Sequence, residues 1–288
     1  MVNEKHEDRL FRAIFGGSNP EYALSLYNAV NNTDYSDASE LEIYTIDDTV
    51  YMGMKNDISF IFDDEINLYE HQSTYNPNMP LRGLFYMAKQ YEKYVEDKGL
   101  DIYSSTILSL PTPKYVVFYN GKREVPETEN LRLSNSFKKD ASGSAIEVIA
   151  SMINVNYGQN KDIMSRCRAL HDYSLFIKKI RDYNRNNDTK TAVDLAINDA
   201  IDLDLLDGYF RKHKAEVTDM ILTEYNEQRT LDNRYNLGVA EGIKEGIKEG
   251  LVKGEQNATS RIEAKINEVL KADPSISLSE AVERGLLK

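Results

Sequence analysis

The chain has 288 residues, 41% of them hydrophobic and 28% charged, with a formal net charge of −12. That length supports one large domain or two ordinary ones with a real core, and the acidic balance disfavours a surface that grips a phosphate backbone throughout. No apolar run reaches the roughly 18 residues of a membrane span and the opening MVNEKHEDRL is too charged for a secretory signal, so a folded, soluble, cytoplasmic protein without a membrane partner is expected.

In chain order, residues 4 to 15 place Leu10, Phe11, Ile14 and Phe15 at helical spacing before the stop Gly16-Gly17. A second helix is predicted over 20 to 31, with Pro20 in its first turn. The period then changes. Segments 41 to 46 (LEIYTI), 57 to 62 (DISFIF) and 66 to 71 (INLYEH) read as three strands, the last two joined by a tight acidic turn at Asp63-Asp64-Glu65. Residues 80 to 97 set Leu84, Met87, Ala88, Tyr91 and Val95 on one helical face. A nearly continuous apolar strand, YVVFY (115 to 119), belongs in the interior of a sheet. The order helix, three strands, helix, strand defines an α/β core over 1 to 135.

From 136 to 235 the strand signals thin out, and 145 to 153, 163 to 180 and 192 to 225 carry 3.6-residue apolar patterns. A helical section packed on or beside the sheet is expected. In the final section, 236 to 288, Gly238, Gly242, Gly246, Gly250 and Gly254 recur at every fourth position beside Val239, Ile243, Ile247 and Leu251. Glu241/Lys244 and Glu249/Lys253 have spacings that support a helix. Each glycine costs a helix about 1 kcal/mol relative to alanine, so two readings stand side by side: a close-packing arm for homo-oligomer formation and a frayed linker. The tail adds a helix from Ser260, a break at Asp273-Pro274, and a capped segment near Ser279 with Val282 and Leu286 inward.

The charge is unevenly spread. Residues 1 to 74 hold four basic residues (Lys5, Arg9, Arg12, Lys55) against fifteen acidic ones, whereas 161 to 190 hold eight basic residues against four Asp. The basic segment is read either as a solvated helix face or as a local grip on an anionic partner. One cysteine, Cys167, excludes an internal disulfide framework, and His6, His71, His171 and His213 lack the spacing of zinc ligands. Any metal is expected on oxygen ligands.

Asp57 and Glu70 are the carboxylates with the best claim to such a role. A buried carboxylate needs a partner, and strand alternation sends Glu70 and Gln72 to one face and His71 to the other. If the two strands are hairpin neighbours, Asp57 lies across from Glu70 and Gln72, and two carboxylates converge as Mg²⁺ requires. The competing reading is a pair of ordinary acidic residues at strand ends.

The string from Lys55 to Val95, with Asp57 opening one strand, Glu70-His71-Gln72 on the next and a long helix immediately after, resembles the PD-(D/E)XK nuclease superfamily. It is similar to the branch of PD-(D/E)XK family transposases and recombination-promoting nucleases, in which the motif lysine is often glutamine. Asp8 to Gly16, Tyr115 to Gly121 and the glycine-punctuated tail also resemble that branch. The resemblance implies a restriction-endonuclease-like mixed sheet and a metal-dependent DNA endonuclease using Mg²⁺ or Mn²⁺. Asp57 and Glu70 would be metal ligands with the main-chain carbonyl of His71, and Gln72 would take the place of the motif lysine that orients the attacking water. Glu7 is a further acidic candidate, and Arg82 a candidate phosphate contact, against a plain salt bridge. Asn56 replaces the motif proline, a minor departure. Gln72 is the larger one, because a neutral amide can hold a water by hydrogen bonds but cannot stabilise developing negative charge as an ammonium does. A catalytically silent descendant serving as a binding or oligomerisation module is the alternative.

Overall fold

The computed structural model describes residues 9–16, 19–44 and 57–287, the last of these through main chain alone over 224–232. The first expected helix and first expected strand extend partly outside these residues, and Glu7 lies outside them altogether. Helix α1 (Arg9–Phe15) buries Leu10, Phe11, Ile14 and Phe15, the four residues its spacing selected. Helix α2 (Pro20–Asn31) starts on Pro20, where the missing N–H has no partner to lose, and closes on Asn32 in the left-handed region (φ 56°).

The chain is α/β. Strands β1 (Glu42–Ile43), β2 (Ile58–Phe62), β3 (Glu65–Gln72), β4 (Thr112–Tyr119), β5 (Thr128–Arg132) and β6 (Ile149–Asn154) form one mixed sheet in the order β1-β2-β3-β4-β6-β5. β2 and β3 pair antiparallel, and β3, β4 and β6 run parallel to one another. The turn between β2 and β3 is Asp63-Asp64, both at positive φ (51° and 55°), the two-residue hairpin geometry whose twist matches that of the strands.

Helix α3 (Met79–Asp97) links β3 to β4 and covers one sheet face. It buries Met79, Pro80, Gly83, Tyr86, Met87 and Gln90. The expected face is therefore displaced by about one residue, and Ala88 is exposed. Two of the buried positions, Gly83 and Gln90, carry no apolar signal. The other face packs α1, α2, α4 (Lys161–Arg166), α5 (Arg168–Tyr183), α6 (Thr189–Asp202), α7 (Tyr209–Lys212) and the start of α8 (Lys214–Ala272) around Phe60, Tyr69 and Phe118.

Two expectations change. The helix expected over 145 to 153 is instead the β6 strand, paired on both sides. The expected boundary at 135/136 falls between β5 and β6, which pair antiparallel, and the chain divides into one compact unit ending at Gln228 and a second beginning at Arg229.

Within the second unit the helix runs on to Ala272, with Val239, Ile243, Ile247 and Leu251 exposed. The Asp273 side chain then accepts from the Ser275 N–H and hydroxyl. Helix α9 (Leu278–Glu283) is capped by Ser277, whose hydroxyl accepts from the Glu280 N–H. Ile276 and Ala281 point inward, while Val282 and Leu286, the expected inward pair, are exposed. A helix this short turns a different face from the one its apolar spacing suggests. No described helix is long and apolar enough to cross a membrane.

Gly83 allows α3 to approach β4 closely, because a Cβ there would overlap the buried Tyr115 ring. Gly83→Ala is expected to lower stability by about 1–3 kcal/mol through overpacking, read as a lower urea midpoint; an unchanged midpoint would show that the ring has room to move.

Candidate active site

The hairpin puts Asp57 beside Glu70. The β2–β3 register ends at Ile58 opposite Tyr69, and beyond that pair side chains take over the hydrogen bonding from the ladder. The His71 N–H donates to Asp57 Oδ2 at 2.7 Å, and the Asp57 N–H donates to Glu70 Oε1 at 3.2 Å. Each carboxylate thus stands in for a strand carbonyl. Both residues are buried, 3% and 1% exposed. Burying two carboxylates this deeply is costly without donors and counter-charge.

Helix α3 supplies the counter-charge. Arg82 Nη2 donates to Glu70 Oε2 at 2.8 Å and to the Tyr86 hydroxyl at 3.0 Å. Burial opposes the charged guanidinium, but the Glu70 charge, Tyr86 through its charge and hydrogen bond, and Tyr115 together more than offset it, and the Arg82 pKa is raised. Burial, and then the Glu70 charge, raise the pKa of both Tyr86 and Tyr115, so both phenols remain neutral. The Tyr115 hydroxyl is buried with no hydrogen-bond partner among the described residues. Arg82, expected as a phosphate contact, is therefore engaged with Glu70.

Strand alternation divides the Glu-His-Gln run as expected. Glu70 faces α3. His71 faces the opposite way, its ring 4.9 Å from that of Phe11 and its Nε2 3.1 Å from the Tyr173 hydroxyl. The Asn120 side-chain amide donates to the same hydroxyl at 3.0 Å. Any part His71 plays at the carboxylates thus belongs to its main chain. Gln72 is half-buried, and its carbonyl accepts from the Asn120 N–H at 3.1 Å.

No group of three or more His, Cys, Asp or Glu residues suited to a metal occurs among the described residues. The donor chemistry still fits a hard divalent cation: Asp57 and Glu70 are anionic oxygen donors, and amide, carbonyl and water oxygens can complete such a shell. Sequence reasoning missed Tyr115 and Tyr173, which lie in apolar-looking stretches and whose roles arise only from the packing of α3 and α5. No family model matches the chain, nor does any curated protein or solved structure.

The Arg82–Glu70 pair should be energetically coupled. A double-mutant cycle with Glu70→Gln and Arg82→Gln is expected to give a coupling energy of about 0.5–3 kcal/mol by chemical denaturation, and strict additivity would show that the contact contributes nothing.

Proposed function

We propose that this chain is a metal-dependent phosphodiesterase acting on DNA, built on a restriction-endonuclease-like core. The observation that supports it is the pairing of Asp57 with Glu70 at the open end of the β2–β3 hairpin, two buried carboxylates, Asp57 accepting from the His71 N–H and Glu70 from the Asp57 N–H. In this reading Asp57 and Glu70 hold Mg²⁺ or Mn²⁺, and the His71 carbonyl is a further ligand. When bound, the divalent ion supplies charge neutralisation at the phosphate and acidifies water. Gln72 orients the attacking water through its amide. The water oxygen forms the new P–O bond, the P–O bond to the leaving oxygen breaks, and that oxygen takes up a proton. Arg82 is a positioning residue that fixes the Glu70 carboxylate.

With duplex DNA and Mg²⁺ or Mn²⁺, wild type should nick or cut. Asp57→Ala and Glu70→Ala should each lose at least about a hundredfold in rate, the scale of losing one strong electrostatic contact in a transition state. Equal cleavage by wild type and both variants would remove the assignment.

One observation favours a second reading, a nuclease-like scaffold without hydrolysis that associates with its own kind. In the second unit the row Val239, Ile243, Ile247, Leu251 is exposed beside glycines with open space around them, as a helix packed closely on another would require. Removing residues 236–288 should then lower the solution mass measured by light scattering from that of an oligomer to that of a monomer. A monomeric full-length chain would exclude this reading.

A further inference from the structure

Beside the C-terminal ends of β4 and β6, on the α5 side of the sheet, lies a cleft of about 200 Å³. Lys178, Arg181 and Arg185 line it, with Asp182 as the single acidic lining residue. Lys178 and Arg185 share that one carboxylate. Arg181 donates to Asn156 Oδ1 at 2.7 Å and to the Asn120 carbonyl, both neutral acceptors. Its charge is thus oriented without being cancelled. The contrast within the same basic segment is clear: Arg166 pairs with Asp34, Arg168 with Asp172 and Asp207, and Lys179 with Asp199. On a chain of net charge −12, a cleft with three cations and one anion is a local reversal of sign.

Two further features narrow the class of ligand. Tyr157 forms part of the lining and is 44% exposed, with the Lys178 ammonium 6.0 Å from its ring centroid. An accessible aromatic ring among cations is the arrangement on which a nucleobase stacks while its phosphate is neutralised. Ser174 and Asn120 also line the cleft, and the Ser174 hydroxyl and Asn120 Oδ1 are buried with no partner among the described residues. A buried unpaired polar atom calls for a partner. The Ser174 hydroxyl can donate to an anionic oxygen, but Asn120 Oδ1 accepts only, and requires an N–H or O–H that a fully ionised phosphate lacks. A nucleotide carries both kinds of group.

We propose that this cleft holds one nucleotide of a single-stranded nucleic acid, its phosphate on Lys178, Arg181 and Arg185 and its base over Tyr157. The cleft begins at Asn120, whose N–H binds the Gln72 carbonyl and whose side chain meets the Tyr173 hydroxyl that contacts His71. A strand seated there starts next to the segment carrying Glu70. A duplex keeps its bases stacked in pairs and offers none to Tyr157, so single strands are preferred.

The test uses the full chain in EDTA, with a fluorescent oligothymidylate and anisotropy as the readout. Because cleavage is measured in Mg²⁺ and binding without it, failure of the cleft and failure of the phosphodiesterase reading, on which the substrate role rests, are separately visible. Lys178→Gln/Arg185→Gln, both at exposed positions, should weaken binding about tenfold and reduce the magnitude of the salt slope by about 0.7, the value for one phosphate contact on a single strand. Tyr157→Ala should weaken binding about tenfold by loss of stacking. Thymidine monophosphate should displace the oligonucleotide at lower concentration than inorganic phosphate. Wild-type affinity in either variant, equal affinity for a duplex of the same length, or equal competition by inorganic phosphate would overturn the assignment.

Discussion

Two main-chain-to-carboxylate hydrogen bonds at the end of one hairpin, the His71 N–H to Asp57 and the Asp57 N–H to Glu70, place a charge requirement on everything around them. Two carboxylates at 3% and 1% exposure need donors and a cation, and main-chain N–H groups supply only the donors. The cation comes from α3 as Arg82, so the helix must lie where its first turns reach the β3 strand. Gly83, next in sequence, makes that approach possible by leaving space for the Tyr115 ring. Packing of α3 and electrostatics of the hairpin are therefore one problem with a single solution.

Strand alternation then separates two tasks across the sheet. Glu70 looks toward α3, while His71 looks toward α1 and α5 and joins the Tyr173–Asn120 hydrogen bonds. Because β3, β4 and β6 are parallel, their C-terminal ends share one edge of the sheet. The carboxylate pair and the basic cleft both lie toward that edge, one on each face. Ligands of open parallel sheets gather outside the carboxyl ends of the strands.

What the sequence revealed follows from the range of the interactions involved. Phe11 and its neighbours, the β2–β3 hairpin and the meeting of Asp57 with Glu70 were legible because each depends on a local period and a two-residue turn. The β6 strand was not. Ala150 and Met152 favour helices, and a short apolar run cannot be assigned by periodicity alone, although the alternation Val148, Ala150, Met152 was present. Pairing with β4 and β5 decided the matter. The β5 strand, Thr128–Arg132, buries only Leu131 and is an edge strand held chiefly by its backbone ladder. Its sequence therefore has little to show. The true face of α3 was hidden by Gly83 and Gln90, buried for reasons of space and position that hydrophobicity does not encode.

Gln72 looked like the weakest feature of the site when only the strand was in view, and Arg82 changes how it reads. Asp57 and Glu70 are both carboxylates, and Arg82 sets a positive charge against Glu70. A lysine at 72, on the same face as Glu70, would add a second cation next to the guanidinium. Like charges in a low-dielectric setting repel strongly, and neutralised carboxylates lose their attraction for a divalent ion. A neutral amide at 72 adds no charge beside the guanidinium and still offers both a donor and an acceptor to water. The glutamine and the arginine are thus two halves of one arrangement, in which positive charge reaches Glu70 from the helix instead of from the strand.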